Sequence, residues 1–420
     1  MRVKCGKKGK RRETESGTRR TRAVMVAIIA SFTLFGGYVM DILIDMGSNE
    51  GLATCWEGAL DQSLSPHIVR FATFNTGDLR TKDLWDTTGL APRVKEIAQI
   101  IQRVDPDVLS LNEIAFDVAT AKGSARAFVE DYLRVPQADG LQGIDYPYIF
   151  FVPVNTGVLS GMDLNNDGVV GGPNDCFGFG NFEGQYGMAL LSKYPIDMVN
   201  ARTFQHFLWR DMPNGMIPPG YYTDDELELF PLSSKSHWDV PIEIDGETVH
   251  VLMAHPTPPV FDGSEDRNGR RNHDEIRFLA DYIAGADFIY DDDGMSGGLP
   301  SGSKFVIMGD MNADPSDGDS TADAILQLVE NPLINTSFFP AGQGGIDNAN
   351  PLHKNPPGYD TCDWNDPNPG NIQADYVLPS WNMVMVSSGV FWPSNSDPLS
   401  PIVTGASDHR LVWVNIGLTP

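Results

Sequence analysis

Eight polar side chains stand at the ends of short apolar runs, and their types suit one kind of chemistry. The segment from Phe305 to Pro315, F-V-I-M-G-D-M-N-A-D-P, sets the pattern. Phe305 to Met308 is apolar, too short for a helix, and reads as a buried strand. Gly309 lets the chain turn as it leaves the sheet. Asp310 and Asn312 follow, two apart, so in a still-extended chain they point to the same side. A carboxylate and a carboxamide at the rim of a core suit a hard cation or a phosphate better than they suit packing. Asn75, Glu113, His255, Asp375 and the pair Asp408-His409 occupy comparable strand ends. Together they fit phosphoester hydrolysis: carboxylates for a divalent cation, a His as base, an Asp to orient it, and amides with a second His for phosphate oxygens. Each has an ordinary structural alternative. Asn75 suits a turn, Glu113 a helix cap, His255 a satisfied core position and Asp375 a surface beside Tyr376. The recurrence carries the argument, and no single residue does.

The elements that must position them can be traced along the chain. Ile68 to Asn75 alternates as a strand. Ala91 to Val104 places apolar residues at 94, 97, 98, 100, 101 and 104, one face of a helix, with Pro92 near its start. Val108 to Asn112 is the next strand and Gly123 to Leu133 a second helix. Tyr148 to Val152, Tyr186 to Ser192 and Thr248 to His255 read as strands, and His273 to Ala284 as a helix. After Phe305 to Gly309 come a helix near Asp323 to Val329 and strands near Ala374 to Leu378 and over Leu411 to Ile416. The 331–370 stretch, rich in Pro, Gly and Asn, reads as surface loop. Strands and helices interleave with no linker or repeat, which predicts one α/β domain over residues 66–418.

Charge and hydropathy divide the chain differently. Of 30 basic residues, ten lie in residues 1–22, a basic N-terminal segment followed by 18 uncharged residues from Ala23 to Met40. A basic flank before an apolar run over 23–44 predicts a signal peptide or a signal anchor, and hence an exported protein, extracellular, periplasmic or membrane-anchored through 23–44. With 56 acidic residues overall, the remainder is strongly negative. Such a field repels polyanions, so a nucleic-acid substrate needs local basic residues or bound cations. Four Cys are few. Cys176 and Cys362, both in polar loops, are the candidates for a disulfide in an oxidising compartment, with two free thiols as the alternative.

The motifs F-N-T at 74–76, L-S-L-N-E-I at 109–114, Y-G-M-A-L-L-S-K-Y-P-I at 186–196, A-H-P at 254–256, I-M-G-D-M-N at 307–312, A-D-Y-V at 374–377 and S-D-H-R at 407–410 occur in one order. That ordered set resembles the endonuclease/exonuclease/phosphatase superfamily. The resemblance implies a four-layer α/β/β/α sandwich, two packed mixed β-sheets flanked by helices, with the site at one edge between the sheets. It implies Glu113 as principal ligand of Mg²⁺ or Mn²⁺, with Asn75 beside it and Asp408 as a further ligand. Asp310 would activate or position the attacking water, Asn312 would hold the phosphate, and His409 would be a catalytic histidine oriented by Asp375. His255 sits where deoxyribonuclease-like members place the histidine that protonates the leaving oxygen, but members differ over which histidine is acid and which base, so the resemblance leaves those two roles open. Tyr186 lies in a segment that contacts phosphate in some relatives.

Two further features extend the expectation. Asp163-x-Asn165-x-Asp167-Gly168 has the oxygen spacing of a calcium loop, with Asn174 or Asp175 where a closing ligand belongs, against a plain Asx-rich turn. Arg271, with Arg267 and Arg270, suits a second phosphate or a nucleic-acid backbone, against pairing with the acidic residues nearby. The expected protein is a monomeric, exported, metal-dependent phosphodiesterase or nuclease. A phosphomonoesterase or a lipid or small-molecule phosphodiesterase for phosphate scavenging is the alternative, and a calcium-stabilised binding module is the alternative of another class.

Overall fold

Alternation along the strands sets up every layer of the structure, a computed structural model that describes residues 67–85, 92–117, 123–365 and 369–418. The segments 1–22 and 23–44 lie outside the described residues. In β1 (His67–Leu79), Val69 and Phe71 face one side, while Ala72 and Phe74 face the other. β1 pairs in parallel with β2 (Val108–Ile114), which pairs antiparallel with β4 (Met188–Ser192), and β4 with β3 (Tyr148–Phe150). On its other side β1 meets β11 (Val412–Leu418), which pairs with β10 (Val384–Val390), so the first sheet runs β10-β11-β1-β2-β4-β3. A second sheet runs β5-β6-β7-β8-β9, from β5 (Arg202–Thr203), β6 (His237–Ile244), β7 (Glu247–Ala254), β8 (Lys304–Asp310) and β9 (Asp375–Pro379).

The sheets pack face to face. Val69, Phe71, Val108 and Leu190 of the first meet Val251, Met253, Val306 and Met308 of the second in one fully buried cluster. Each such side chain contributes roughly 1.5–3 kcal/mol by leaving water. The outer face of the first sheet, with Ala72, Phe74, Leu109 and Leu111, is covered by α1 (Pro92–Val104), α2 (Ser124–Phe128, continued by a π-helical turn, Val129–Leu133) and α4 (Ser400–Ala406). That of the second, with Leu252, Phe305 and Ile307, is covered by α3 (Arg267–Ile283). The four-layer α/β/β/α sandwich is therefore present.

The sequence-based elements match these closely, with four exceptions, the two-residue β5 being the first. β6 carries Pro241 and buried His237 and Asp239, which break a strand pattern; β10 is half exposed; and α4 begins with Pro401 and has little polar contrast. No helix among the described residues is long and apolar enough to cross a membrane.

The 331–370 stretch is not simply surface. Asp360, Thr361 and Cys362 are at most 2% exposed and pack beneath the edge of the second sheet. Burial, with Asp314 and Asp317 adding to it, pushes the Asp360 carboxyl up to about 8. An unfolded Asp has a value of about 3.9, so the folded chain keeps a proton that the unfolded chain has lost. The contribution of Asp360 to stability is therefore fully present below about pH 4 and is lost as pH rises through about 8. Asp360→Asn should raise stability at pH 9 by about 1–3 kcal/mol and change it little at pH 4, which thermal unfolding at the two pH values checks.

Candidate active site

The strand alternation that fills the core also delivers the polar residues. Val69, Phe71, Thr73 and Asn75 share the intersheet face of β1, as Val306, Met308 and Asp310 do in β8. Val251 and Met253 lead to His255 just past β7, and Val377 follows Asp375 in β9. Parallel β1/β2 and β7/β8 contribute residues from their C-terminal ends. β9 and β11, antiparallel to their neighbours, contribute from their N-terminal ends, which is why Asp375, Asp408 and His409 precede a strand. All arrive at one edge between the sheets.

Glu113 is the exception to alternation. Val108, Ser110 and Asn112 hold the intersheet face, so the next side chain should point outward. Glu113 instead has φ 62°, a left-handed conformation that re-aims its carboxylate. Asn312 (φ 51°), Tyr186 (φ 57°) and Asp78 (φ 58°) are also left-handed. Strain of this kind costs on the order of 1–3 kcal/mol per residue and concentrates at functional sites.

Asp310, 1% exposed, is the hub. Its Oδ2 accepts from Asn75 Nδ2 at 2.9 Å and lies 3.4 Å from His255 Nε2 and 3.7 Å from His409 Nε2. His409 Nδ1 meets Asp375 Oδ2 at 2.9 Å, and Thr361 Oγ1 donates to the same oxygen at 2.8 Å. Glu113 accepts from Asn75 Nδ2 (3.2 Å) and Asp78 N (2.8 Å), and its Oε1 lies 4.0 Å from His255 Nε2. Asn312 donates its backbone N–H to Asp310 Oδ1 (2.8 Å) and its amide to the Pro256 carbonyl (3.1 Å). Asp408 accepts from Trp364 Nε1 at 3.0 Å, and Trp364 stands edge-on to the His409 ring. Glu113, Asp310, Asn312, Asp408 and His409 line one cleft of about 730 Å³.

The electrostatics separate the two histidines. Burial lowers both, but Cys362, Asp375 and Asp310 carry His409 well above the usual range. His255 stays well below it, pressed down by burial and then by Lys235 and His409. The two imidazoles are thus displaced in opposite directions. Burial raises Asp310 to about 7, with His409 opposing and Asp375 adding. Burial also raises Glu113. Carboxyls raised by burial, with the buried Asp78 Oδ1 left without a partner, form a donor set that fits a hard cation.

Not every expected residue joins this group in the expected way. Asn75 turns its Nδ2 to the two carboxylates while its Oδ1 accepts from Gly77 N, so it steadies Glu113 beside Asp310. Tyr186 lines a neighbouring cavity together with Glu113. Arg271 is buried, its guanidinium donating to the carbonyls of Leu232, Phe177 and Pro231 and lying over the Phe230 ring, and it lines the neighbouring cavity with Glu113 and His255. Cys176 and Cys362 form no disulfide: both are buried free thiols. Cys362 Sγ is 3.2 Å from His409 Nδ1, whereas Cys176 faces the carbonyls of Gly172 and Gly180. In the Asp163 loop the carboxylates serve the loop itself. Asp163 accepts from Asp167 N and Gly168 N, Asp167 from Val169 N, and Asp175 from Leu164 N and Gly171 N. Among the described residues, the trio of such groups within 4.8 Å of one another is Cys362, Asp375 and His409, so the calcium expectation goes no further than its spacing.

Three residues stand at the edge that the sequence did not assign to it, Cys362 having been singled out only as a disulfide partner. Thr361 and Cys362 sit in the Pro-, Gly- and Asn-rich stretch, and Lys235 precedes a strand that Pro241 disguises. Recognising β6 would have placed Lys235 at a strand start facing the same edge.

The endonuclease/exonuclease/phosphatase family model matches residues 73–409. The structure is similar to that of an endonuclease/exonuclease/phosphatase from Beutenbergia cavernae DSM 12333, at 18% identity over 84% of this chain and 72% of that one, with a TM-score of 0.48. It is also similar to sphingomyelinase C from Streptomyces griseocarneus, at 18% identity over 83% of this chain and 99% of that one, with a TM-score of 0.42. No curated protein matches the chain. Since the family match runs unbroken across the strands that bring these side chains to one edge, the chain belongs to the endonuclease/exonuclease/phosphatase family and is a phosphoester hydrolase.

Proposed function

We propose that the protein is an exported, divalent-metal-dependent phosphodiesterase that cleaves a P–O bond by direct attack of water. The observation that carries this is the approach of two imidazoles to one buried carboxylate, His255 Nε2 at 3.4 Å and His409 Nε2 at 3.7 Å from Asp310 Oδ2. Two proton-transferring groups beside a water-positioning carboxylate suit general acid–base catalysis of a displacement at phosphorus. Asp310 holds the attacking water, whose proton passes to Asp310 or to neutral His255 as its oxygen bonds to phosphorus. His409, kept charged by Asp375, supplies the proton that the departing alkoxide takes as the ester P–O bond breaks. Asn312 donates to a non-bridging oxygen. Glu113 and Asp408 would hold Mg²⁺ or Mn²⁺, which when bound supplies positive charge for the phosphate oxygens. The basic and apolar segments at 1–22 and 23–44 support export.

The test is hydrolysis of an aryl phosphodiester, the matching monoester and supercoiled plasmid by the purified chain, with Mg²⁺, Mn²⁺ or chelator. Diester turnover that needs the metal and falls at least about 10²-fold in Glu113→Gln, with the fold intact, is the expected result. Equal rates in chelator, or in Glu113→Gln, would remove Glu113 and the metal from the proposal. Plasmid nicking would extend the diester to nucleic acid, and turnover of the monoester alone would replace the phosphodiesterase with a phosphatase.

A further inference from the structure

Lys235, in the loop that enters β6, is 6% exposed. Among the described residues its ammonium meets one acceptor, the Pro256 carbonyl at 3.4 Å. The same carbonyl takes the Asn312 amide at 3.1 Å, so the two side chains converge on one point beside the reactive edge. The loops on both sides are fixed from α3, where Glu275 accepts from Ser234 N and Thr257 N, each at 2.6 Å. Glu113 and Asp310 lie within electrostatic range of the ammonium, yet no carboxylate among the described residues reaches ion-pair distance. A rigidly held, buried ammonium with N–H groups to spare is costly unless a ligand oxygen completes it.

Lys235 also marks the end of a cavity. With Glu113 and His255 it lines a chamber of about 530 Å³ whose walls carry the rings of Phe179, Tyr222, Phe230 and Phe261 beside Arg267, Asn268 and Arg271. Phe261 is 87% exposed and left-handed at φ 67°. Together with Pro258 and Val260 it also lines the 730 Å³ cleft that holds Asp310, Asn312 and His409. The 258–261 segment therefore partitions two spaces that share Glu113. A phosphorus atom at Glu113 has room for an organic group on either side.

We propose that the chamber receives one of the two esterifying groups of a small phosphodiester, a compact aromatic or similarly apolar group, while Lys235 donates to a non-bridging phosphate oxygen at its mouth. The proposal rests on the phosphodiesterase reading and names its substrate class. Aromatic walls favour a ring by offset or edge contacts, and an enclosed space of this size fits a ring with a few further atoms. It gives no room to a base-paired duplex.

The test compares a diaryl with a methyl aryl phosphodiester, with inorganic phosphate as competitive inhibitor, in the wild type, Lys235→Met and Phe261→Gly. The wild type should prefer the diaryl ester in kcat/KM by about tenfold or more. Phe261→Gly, whose residue accepts the same φ, should shrink that preference through KM. Lys235→Met should lower kcat/KM on both esters by roughly 10–100-fold and weaken phosphate inhibition by a similar factor. Should Lys235→Met fold poorly, thermal stabilisation by inorganic phosphate, present in the wild type and lost in Lys235→Gln, reads the same contact. No ester preference in the wild type, together with unchanged phosphate inhibition in the Lys235 variants, overturns the subsite. A wild type that turns over neither diester overturns the phosphodiesterase reading itself.

Discussion

His409→Ala should lower kcat for diester hydrolysis by about 10³–10⁴-fold while the chain still folds. The imidazole reaches Asp375 Oδ2 at 2.9 Å and faces Asp310 Oδ2 at 3.7 Å, so its loss removes both the proton source and the partner that Asp375 orients. Folding survives because Asp375 keeps the Thr361 hydroxyl at 2.8 Å, and its removal from the dyad costs about 1–3 kcal/mol at most. Steady-state kinetics beside circular dichroism separates the two effects. A variant that retains a tenth of the parental kcat would place the proton donor elsewhere. Asp375→Asn should fall in the same direction, since the imidazole would no longer be held in its charged state.

Gly309→Ala should be among the most damaging single changes in the fold. A Cβ at this position would lie 1.9 Å from the carbonyl oxygen of Ala254, and φ is +150°, a region that L side chains rarely adopt. The obstacle is backbone, held in the parallel β7–β8 ladder at Met253↔Met308, and cannot rotate aside. The two strands would have to part between His255 and Asp310. We expect a loss of roughly 3–5 kcal/mol and no measurable turnover at temperatures where the variant remains folded. Urea unfolding and activity on the same sample decide it. A midpoint close to the parent's would mean that the strand ends yield without disturbing the site.

How much of this was legible beforehand depended on whether a residue's role followed from its own strand. Asn75, His255, Asp310 and Asp375 could be found because each extends an apolar alternation that ends at the same edge. Glu113 was found by motif, while the left-handed turn that aims it leaves no trace in hydrophobic period. Thr361 and Cys362 could not be found, because Gly, Pro and Asn dominate their neighbourhood and their burial comes from strands far away in sequence. The disulfide expectation failed for the same reason: loop composition says nothing of where two loops end up, and these thiols face different partners. Arg271 illustrates the limit for charge. A basic residue among acidic neighbours suggests a phosphate, and its sequence says nothing of the three main-chain carbonyls and the aromatic face that hold it.

The polar groups at the edge are divided between two sheets whose strands, among the described residues, do not pair with one another. Asn75, Glu113 and His409 ride on the first sheet, and His255, Asp310 and Asp375 on the second. Their spacing is set by the hydrogen bonds that cross the edge, Asn75 to Asp310 and His409 to Asp375. Behind them stands the apolar seam of Val, Phe and Met side chains, whose contacts limit how far one sheet can slide over the other. A displacement of about 1 Å between reacting groups is worth on the order of 10²-fold in rate. Turnover thus acts as a vernier for the registry of the two sheets, and a methyl group lost deep in the seam would be read out at the edge before any strand was lost.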